Sequence, residues 1–471
     1  MFPVFTISFH HSKEVFVCCH IVSLRCVFWV GLSIRGGGND SPRPASQRAA
    51  AFILTAAMLT TLTAPAFAGT WYIEDGDITI SAGESGNDVT QKGETTYGDK
   101  DTVITNHDKD KASSNTVTIE AEDEDDKVEV TLKDVNIDAS SGSEAAVSVT
   151  GKGNTNIELD GDNELKGAHN RAGLEHNQTV DGEGNVTSGK LTIQDENNDG
   201  SLNATGKGFA AGIGGGSVKA GQVTITGGTI TATGEDGAGI GGGHGNMGSN
   251  AGNADIEISG GTIEATGGYA SAGIGGGTWG DANIKITGDA VIKNATGGVY
   301  GSGIGGGGGG NGDVTISGNA KIENAQGGIT GSGIGGGNGA SGTVVIKDDS
   351  TVTATGGEAG AGIGGGYAGL GDVTIEGNTT VNATGGVGSA GIGSGVDSVN
   401  DNAGNGNKIT IKSNANGSPT VKAVGGGTNK ENQVFIGGAG IGSGASDATA
   451  EITIEGKVTI VAKAGEGNAA I

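Results

Sequence analysis

The sequence predicts an all-β protein, a right-handed parallel β-helix (solenoid) built from glycine-rich coils of about 30 residues. The segment AGIGGG, or a close variant, occurs eight times between Ala211 and Gly444, and five of the seven intervals are 27 to 30 residues. Alternating runs of Val, Ile and Thr separate these segments, and a period of two is typical of strands with one buried face. A repeat of this length predicts stacked units that cannot bury their apolar faces alone. The repeat isoleucines are Ile213, Ile240, Ile274, Ile304, Ile334, Ile363, Ile392 and Ile441.

The repeat that begins at Val373 illustrates how one coil is built. It contains three short extended pieces, Val373–Ile375, Thr380–Ala383 and Ala390–Ile392, which glycine-rich corners separate. Three strands per coil predict three parallel sheets, in which each strand pairs with its copies in the neighbouring coils about 4.8 Å away. The second piece of each coil carries an alanine that we expect to point into a narrow core. These alanines are Ala204, Ala232, Ala265, Ala295, Ala325, Ala354, Ala383 and Ala423.

The N-terminal region has the pattern of a targeting segment. Arg48 precedes an apolar stretch that ends in the sequence AFA at residues 66–68, which is typical of a secretory signal peptide with an A-x-A cleavage site. Residues 48–68 are therefore predicted to be a signal peptide, which implies a secreted or cell-surface protein. Residues 1–47 are predicted to be either a non-native leader, from a start site assigned too far upstream, or a membrane anchor.

The predicted mature chain divides into two parts. Residues 69–200 are expected to form irregular N-terminal β-helix coils with acidic loops, and residues 201–471 the regular AGIGGG-repeat β-helix. Ile471 lies 30 residues after Ile441, where the next repeat isoleucine is due. We therefore expect the chain to be truncated inside a repeat, with any C-terminal anchor or further domain outside this sequence.

Charge and cysteine content restrict the function classes. All three cysteines lie within residues 1–68, so the predicted mature chain has none and must draw its stability from its core. Of the 27 basic and 53 acidic residues, five basic and two acidic ones lie in that segment, which leaves a net charge of −29. Such a surface repels nucleic acid and anionic membranes. The sequence thus predicts neither nucleic-acid binding nor membrane insertion of the mature chain, and it leaves the oligomeric state open.

One acidic turn is the candidate metal site. Asp195, Asn197 and Asp199, followed by Gly200, match the first half of a D-x-N-x-D-G calcium loop. Gly206 occupies the twelfth position, where such a loop carries a glutamate, so the match is incomplete. The pattern predicts calcium as a cofactor at this turn, and the alternative is an acidic turn of the kind common in soluble acidic proteins.

The few aromatic residues are the candidate carbohydrate-binding residues. Tyr269 and Tyr300 lie in the variable segment before the repeat isoleucine of successive coils, whereas Trp279 and Tyr367 closely follow GIGGG. Exposed aromatic rings present an apolar face with a polar edge, which suits stacking on sugar rings. At similar places in neighbouring coils they would form a strip. The alternative is that these rings pack over the corner glycines.

An enzymatic alternative rests on a single loop. A lyase reaction would need a basic residue beside a carboxylate cluster, and the only arginine of the predicted mature chain is Arg171. It lies close in sequence to His169, Glu175 and His176, the one place where basic and acidic groups crowd together. A solvated loop explains the same composition, and catalytic residues are not predicted.

A family resemblance bears on function. The string VTLKDVNIDASSGSEAAVSVTGKGNTNIELDGDNELKG, from Val130 to Gly167, followed by GKLTIQ and SLNATGKGFAAGIGGG, resembles the carbohydrate-binding β-helix proteins of clostridial and related gut bacteria. Those are secreted or surface proteins related in fold to polysaccharide lyases, and the similarity runs from about residue 75 to the end.

The resemblance implies a non-catalytic polysaccharide-binding surface protein. The type member of that family binds an acidic plant polysaccharide, but the charge of −29 opposes polyuronate binding unless bridging Ca²⁺ or a local lysine patch compensates for it. A neutral glycan removes this difficulty. The alternatives are a structural or adhesive spacer rod without glycan binding and, less favoured, a polysaccharide lyase.

Overall fold

The computed structural model describes residues 68–248, 250, 252–400, 405–427 and 437–471, together with three strands near the N-terminus. The chain forms two units, residues 1–65 and 66–471. In the first unit the described strands form an antiparallel sheet, and they are Thr6–Phe9, Lys13–Val22 and Arg25–Val30. The signal peptide predicted at 48–68 lies outside the described residues, apart from Ala68. Within the described part of the chain, no helix has the length and hydrophobicity that a membrane span requires.

The second unit is a parallel β-solenoid, which confirms the predicted fold class. Three long sheets run along it, and the helical content of its described residues is one 3₁₀ turn, Ile73–Asp75. The 13 strands of sheet 1 are Thr70–Tyr72, Thr102–Thr105, Lys127–Lys133, Asn154–Asp160, Leu191–Gln194, Gly221–Ile225, Ala254–Ile258, Ala282–Ile286, Gly312–Ile316, Gly342–Ile346, Gly371–Glu376, Asn407–Lys412 and Ala450–Glu455. The 11 strands of sheet 2 are Asn136–Asp138, Asp162–His169, Ser201–Lys207, Thr229–Thr233, Thr262–Thr266, Val291–Thr296, Lys321–Gln326, Thr351–Thr355, Thr380–Thr384, Thr420–Val424 and Thr459–Lys463. The 14 strands of sheet 3 are Ile78–Gly83, Gly86–Gln91, Glu94–Asp99, Val117–Ala121, Val147–Gly151, Leu174–His176, Ile213–Gly214, Ile240–Gly241, Ile274–Gly275, Ile304–Gly305, Ile334–Gly335, Ile363–Gly364, Ile392–Gly393 and Ile441–Gly442.

Each regular coil contributes one strand to each sheet. In the coil that begins at Gly371, the strands are Gly371–Glu376, Thr380–Thr384 and Ile392–Gly393. The third strand is shorter than the predicted Ala390–Ile392 and lies slightly later, between turns at residues 387–388 and 396–397. Like residues stack on like in register, so that Ile392 pairs with the repeat isoleucines of both neighbouring coils.

The core is a narrow stack of small and β-branched side chains. The eight repeat isoleucines are all 0% exposed, and the eight alanines of sheet 2 named above are at most 1% exposed. The inward orientation predicted for the alanines is thus confirmed, and the repeat isoleucines point inward as well. Full burial of an isoleucine contributes about 1.5–3 kcal/mol, so the stacked isoleucines are a main source of stability in each coil.

Close stacking of the coils requires glycine directly after the repeat isoleucine. Gly305 has φ +137, a conformation that side-chain-bearing residues rarely adopt. A Cβ at this position would overlap the backbone carbonyl oxygen of Gly335 in the next coil. The glycine therefore meets a conformational and a steric requirement together.

The N-terminal end of sheet 3 is closed by an antiparallel meander. Ile78–Gly83 pairs in parallel with Val117–Ala121 on one side and antiparallel with Gly86–Gln91 on the other, and Glu94–Asp99 continues the antiparallel order. Asn87, only 5% exposed, donates hydrogen bonds from its amide nitrogen to neighbouring strands. The meander thus differs from the irregular coils expected in this part of the chain, and it covers a sheet edge that would otherwise be open to pairing.

The stacking of the coils continues to Ala470. The backbone N–H of Ile441 donates to the carbonyl oxygen of Ala470 at 2.9 Å, as that of Ile392 donates to Gly440 at 3.0 Å. Ala470 therefore takes the place of Gly440, whereas Ile471 is 52% exposed and lies outside the strands of sheet 3.

Candidate functional site

Two turns flank the short sheet 3 strand in each of the five consecutive coils from Ile274 to Ile392, and together they form one surface. We call this surface the turn face. The first turns are residues 269–270, 299–300, 329–330, 358–359 and 387–388, and the second turns are 278–279, 308–309, 338–339, 367–368 and 396–397. The second turn of one coil donates a backbone hydrogen bond to the first turn of the preceding coil, for example from Asn338 to Tyr300 at 2.8 Å and from Tyr367 to Thr330 at 2.8 Å. The face is therefore continuous along the solenoid.

Tyr269 and Tyr300 pack against each other on the turn face. Their ring centroids are 5.2 Å apart, and the rings meet edge to face at 88°. The hydroxyl of Tyr269 donates to that of Tyr300 at 3.3 Å, and this hydrogen bond raises the pKa of Tyr269 above its usual 10.0. Tyr269 is 58% exposed, whereas Tyr300 is half-buried. The pair thus offers one exposed ring, held in place by the other.

Trp279 projects from the second turn of the coil that contains Tyr269. Its φ is +58, close to the +55 of Ala368 and the +57 of Asp397 at the equivalent position of later coils, whereas the next two coils have the glycines Gly309 and Gly339 there. A non-glycine residue in the left-handed region costs about 1–2 kcal/mol, and this turn bears that cost in several coils. The indole ring lies over Gly309, where any side chain would collide with it, and Trp279 remains 40% exposed.

Tyr367 lies two coils beyond Tyr300 and is oriented by a carboxylate. Its hydroxyl donates to Oδ2 of Asp397 at 2.9 Å, in the second turn of the next coil. This hydrogen bond raises the pKa of Tyr367, so its phenol stays protonated at neutral pH. The ring is half-buried. The four aromatic residues predicted from the sequence therefore all lie on the turn face, with Tyr367 apart from the other three.

Aliphatic side chains extend the same face, and the sequence analysis did not single them out. Val299, Ile329 and Val387 occupy the position of Tyr269, five residues before the repeat isoleucine, in later coils. Ile329 is 49% exposed, and it lines a groove of about 520 Å³ with Glu358 and Val387. The constant offset from the repeat isoleucine is the signal that would have identified them.

The turn face carries little charge. The ten turns contain two carboxylates, Glu358 and Asp397, and no lysine or arginine. Asp397 is already paired with the hydroxyl of Tyr367. An anionic ligand would therefore find no cation on these turns, whereas a neutral ligand with apolar faces and hydroxyl groups would meet no electrostatic barrier.

The predicted calcium turn is organised by its first carboxylate. Asp195 is 9% exposed, and its Oδ1 accepts from the backbone N–H groups of Asn198 at 2.8 Å and Asp199 at 3.3 Å. Its Oδ2 accepts from the N–H of Gly200 at 3.0 Å. Oδ1 of Asn197 accepts a long bond of 3.4 Å from Asp199, whose own side chain is exposed. No group of three or more His, Cys, Asp or Glu side chains in the described residues is arranged to hold a metal ion. Calcium at this turn stays a prediction.

Arg171, the basic residue of the enzymatic alternative, is bound to two carboxylates. Its guanidinium lies 2.9 Å from Oε1 of Glu175 and 3.3 Å from Oε2 of Glu144, and its Nε donates to the carbonyl oxygen of Ser143 at 3.1 Å. Glu175 is 2% exposed, so the pair is anchored at the solenoid wall. A lyase reaction in this loop would require Arg171 to leave both partners.

His176 is buried between two backbone carbonyl groups. It is 2% exposed, its Nδ1 lies 3.2 Å from the carbonyl oxygen of Val149, and its Nε2 lies 2.9 Å from that of Gly189. Burial lowers the pKa of His176 below its usual 6.5, although the two carbonyl groups oppose this shift. The position of His176 is thus that of a structural tie between a coil and the loop that follows it.

Comparison with known proteins identifies the repeat and assigns no role to the turn face. A model of the β-helix repeat matches residues 198–217, 223–244, 256–278, 344–367 and 373–396. The chain is a parallel β-helix repeat protein. No curated protein and no solved structure matches it. Tyr269 and Tyr367 fall inside matched segments, whereas Trp279 and Tyr300 fall between them, so the match follows the coil and assigns no ligand.

Proposed function

We propose that this β-helix repeat protein is a secreted or cell-surface protein that binds a polysaccharide without catalysis, and that the turn face is its binding surface. The observation that carries the proposal is the placement of Tyr269, Trp279 and Tyr300 in two consecutive coils on one continuous face. Two of these rings, those of Tyr269 and Trp279, are substantially exposed.

The geometry of the face suits an extended chain. Neighbouring coils of a parallel solenoid are about 4.8 Å apart, so the turn face repeats its backbone groups at a spacing comparable to the length of a sugar ring. A glycan that lies along the solenoid would meet aromatic rings at Tyr269 and Trp279 and aliphatic side chains from Ile329 onward. Exposed apolar side chains on one strip are typical of binding surfaces.

The charge of the face favours a neutral glycan. The ten turns carry two carboxylates and no basic side chain, and the chain as a whole has a net charge of −26. A polyuronate would be repelled unless cations screened or bridged the two. A neutral polysaccharide needs neither, and its hydroxyl groups can bond to the polar edges of the rings.

Substitution of Trp279 tests the proposal, because loss of binding can be separated from loss of folding. Trp279→Gly removes the ring from a turn that accommodates glycine, so we expect binding of the retained glycan to weaken at least about tenfold (1.4 kcal/mol) while the solenoid remains folded. Tyr97→Ala is the matched control, since Tyr97 is 74% exposed but lies in the N-terminal meander. Equal effects of the two variants on binding would contradict the proposal. No binding by the folded wild type would favour the spacer rod.

A further inference from the structure

A buried carboxylate accepts hydrogen bonds from the first residues of the solenoid. Asp99 is 1% exposed, and its Oδ1 accepts from the backbone N–H of Gly69 at 2.9 Å. Its Oδ2 accepts from the indole Nε1 of Trp71 at 2.8 Å, and the N–H of Asp101 adds a bond of 3.3 Å to Oδ1. Asp99 thus fastens the first strand of sheet 1 to the last strand of the N-terminal meander.

Gly69 is the point at which the chain enters the fold. Gly69 is buried, and its carbonyl oxygen accepts a hydrogen bond from the N–H of Val103 at 2.9 Å, whereas Ala68 is exposed. The bond between Ala68 and Gly69 is also the bond at which the AFA sequence of residues 66–68 predicts cleavage. The predicted processing site and the structural boundary therefore coincide at one peptide bond.

Among the described residues, the carboxylate of Asp99 has no cationic partner. None of the ion pairs among the described residues includes it, and its three donors are neutral N–H groups. A buried charge is costly unless an opposite charge compensates it. The fold thus contains a buried carboxylate that is hydrogen-bonded at 2.9 Å to the nitrogen that cleavage would convert into an amine.

We propose that Asp99 is the acceptor for a new N-terminus, created by hydrolysis of the peptide bond between Ala68 and Gly69. Water supplies a hydroxyl group to the carbonyl carbon of Ala68 and a hydrogen to the nitrogen of Gly69. The resulting amine takes up a second proton at neutral pH, since an α-amino group has a pKa of about 7.7–8.0. The ammonium group of Gly69 then forms a charge-assisted hydrogen bond with Asp99, roughly twice as strong as the bond from the amide. Cleavage thus supplies the buried carboxylate of Asp99 with a cationic partner.

The test uses the full chain, exported from a bacterial host and purified in its folded form. Intact mass gives the N-terminal residue, and timed acetylation followed by peptide mass spectrometry gives the labelling rate of each amine. We expect the product to begin at Gly69. We also expect its α-amino group to be labelled at least about tenfold more slowly than the exposed Lys152, although a free α-amino group reacts faster than lysine at neutral pH because of its lower pKa.

Asp99→Asn removes the charge and keeps the shape, and we expect it to speed labelling of Gly69 at least about tenfold while Lys152 is unaffected. If that variant is not exported, the wild type in unfolding concentrations of urea supplies the contrast, because unfolding must abolish the protection. A product that begins at another residue overturns the proposal. So does labelling of Gly69 as fast as Lys152 in the folded wild type, or equally slow labelling in Asp99→Asn.

Discussion

Replacement of Gly305 by alanine tests whether the glycine after the repeat isoleucine holds the coils together. The new Cβ would overlap the carbonyl oxygen of Gly335, and the φ of +137 is unfavourable for alanine. The conformational cost is about 1–3 kcal/mol, and relief of the overlap by separation of the coils adds about 1–3 kcal/mol. We therefore expect Gly305→Ala to destabilise the solenoid by about 2–6 kcal/mol.

Gly339→Ala is the matched control in the following coil. Gly339 also has a positive φ, +73, but a Cβ there would meet nothing within 4 Å. The next coil carries Ala368 at the equivalent position with φ +55, so the fold accommodates alanine at this place. We expect a cost of about 1–2 kcal/mol, from the left-handed conformation alone.

Urea unfolding followed by circular dichroism measures both variants. Because a long repeat array can unfold in segments, hydrogen exchange with mass spectrometry should show whether the faster exchange in Gly305→Ala centres on the coils that contain residues 304–305 and 334–335. The reasoning is refuted if Gly305→Ala is as stable as the wild type, or if Gly339→Ala costs as much as Gly305→Ala.

The remaining predictions concern His176, Asp195 and calcium binding at the turn that contains Asp195. Burial lowers the pKa of His176, so the folded protein favours the neutral ring. The stability that the neutral ring of His176 contributes is complete above the usual pKa of 6.5 and is lost as the pH falls below that value. The free energy of unfolding, measured in urea between about pH 7.5 and 5, should decline by up to about 1.4 kcal/mol per pH unit as the pH falls through this window, and His176→Gln should flatten the decline; an unchanged slope would contradict this assignment. Asp195→Ala should destabilise the protein by about 1–3 kcal/mol because three backbone N–H groups lose their acceptor, whereas Asp199→Ala at the exposed position should cost less than about 0.5 kcal/mol; equal costs would show that the hydrogen bonds to Asp195 do not stabilise the turn. If calcium binds here, its addition should raise the thermal midpoint of the wild type and not that of Asp195→Ala, and an equal rise in both would place the ion elsewhere.

The coil could be predicted from the sequence because two strong signals agree. Alternation of β-branched residues located the strands of sheets 1 and 2, and the constant offset of Ala383 and its counterparts identified the inward positions. The meander could not be predicted in the same way. Gly86–Gln91 contains one apolar β-branched residue, Val89, and Glu94–Asp99 contains none, so neither has a hydrophobic pattern that distinguishes a strand from a loop.

The candidate site was predicted in part. Aromatic composition located Tyr269, Trp279 and Tyr300, but their contacts depend on a one-residue offset, since Tyr269 is five residues and Tyr300 four residues before its repeat isoleucine. That offset brings the rings together edge to face across two coils. The left-handed conformation of Trp279 and the packing of its ring over Gly309 depend on turn geometry that no sequence pattern specifies.

Binding of the purified protein to a panel of neutral and acidic polysaccharides, with and without excess chelator, tests whether the turn face binds a neutral glycan. We expect retention on a neutral polysaccharide that chelator does not affect and that Trp279→Gly weakens at least about tenfold. Retention on a polyuronate alone, abolished by chelator, would contradict the claim that the uncharged turn face is the binding surface and would indicate calcium bridging at an acidic site instead.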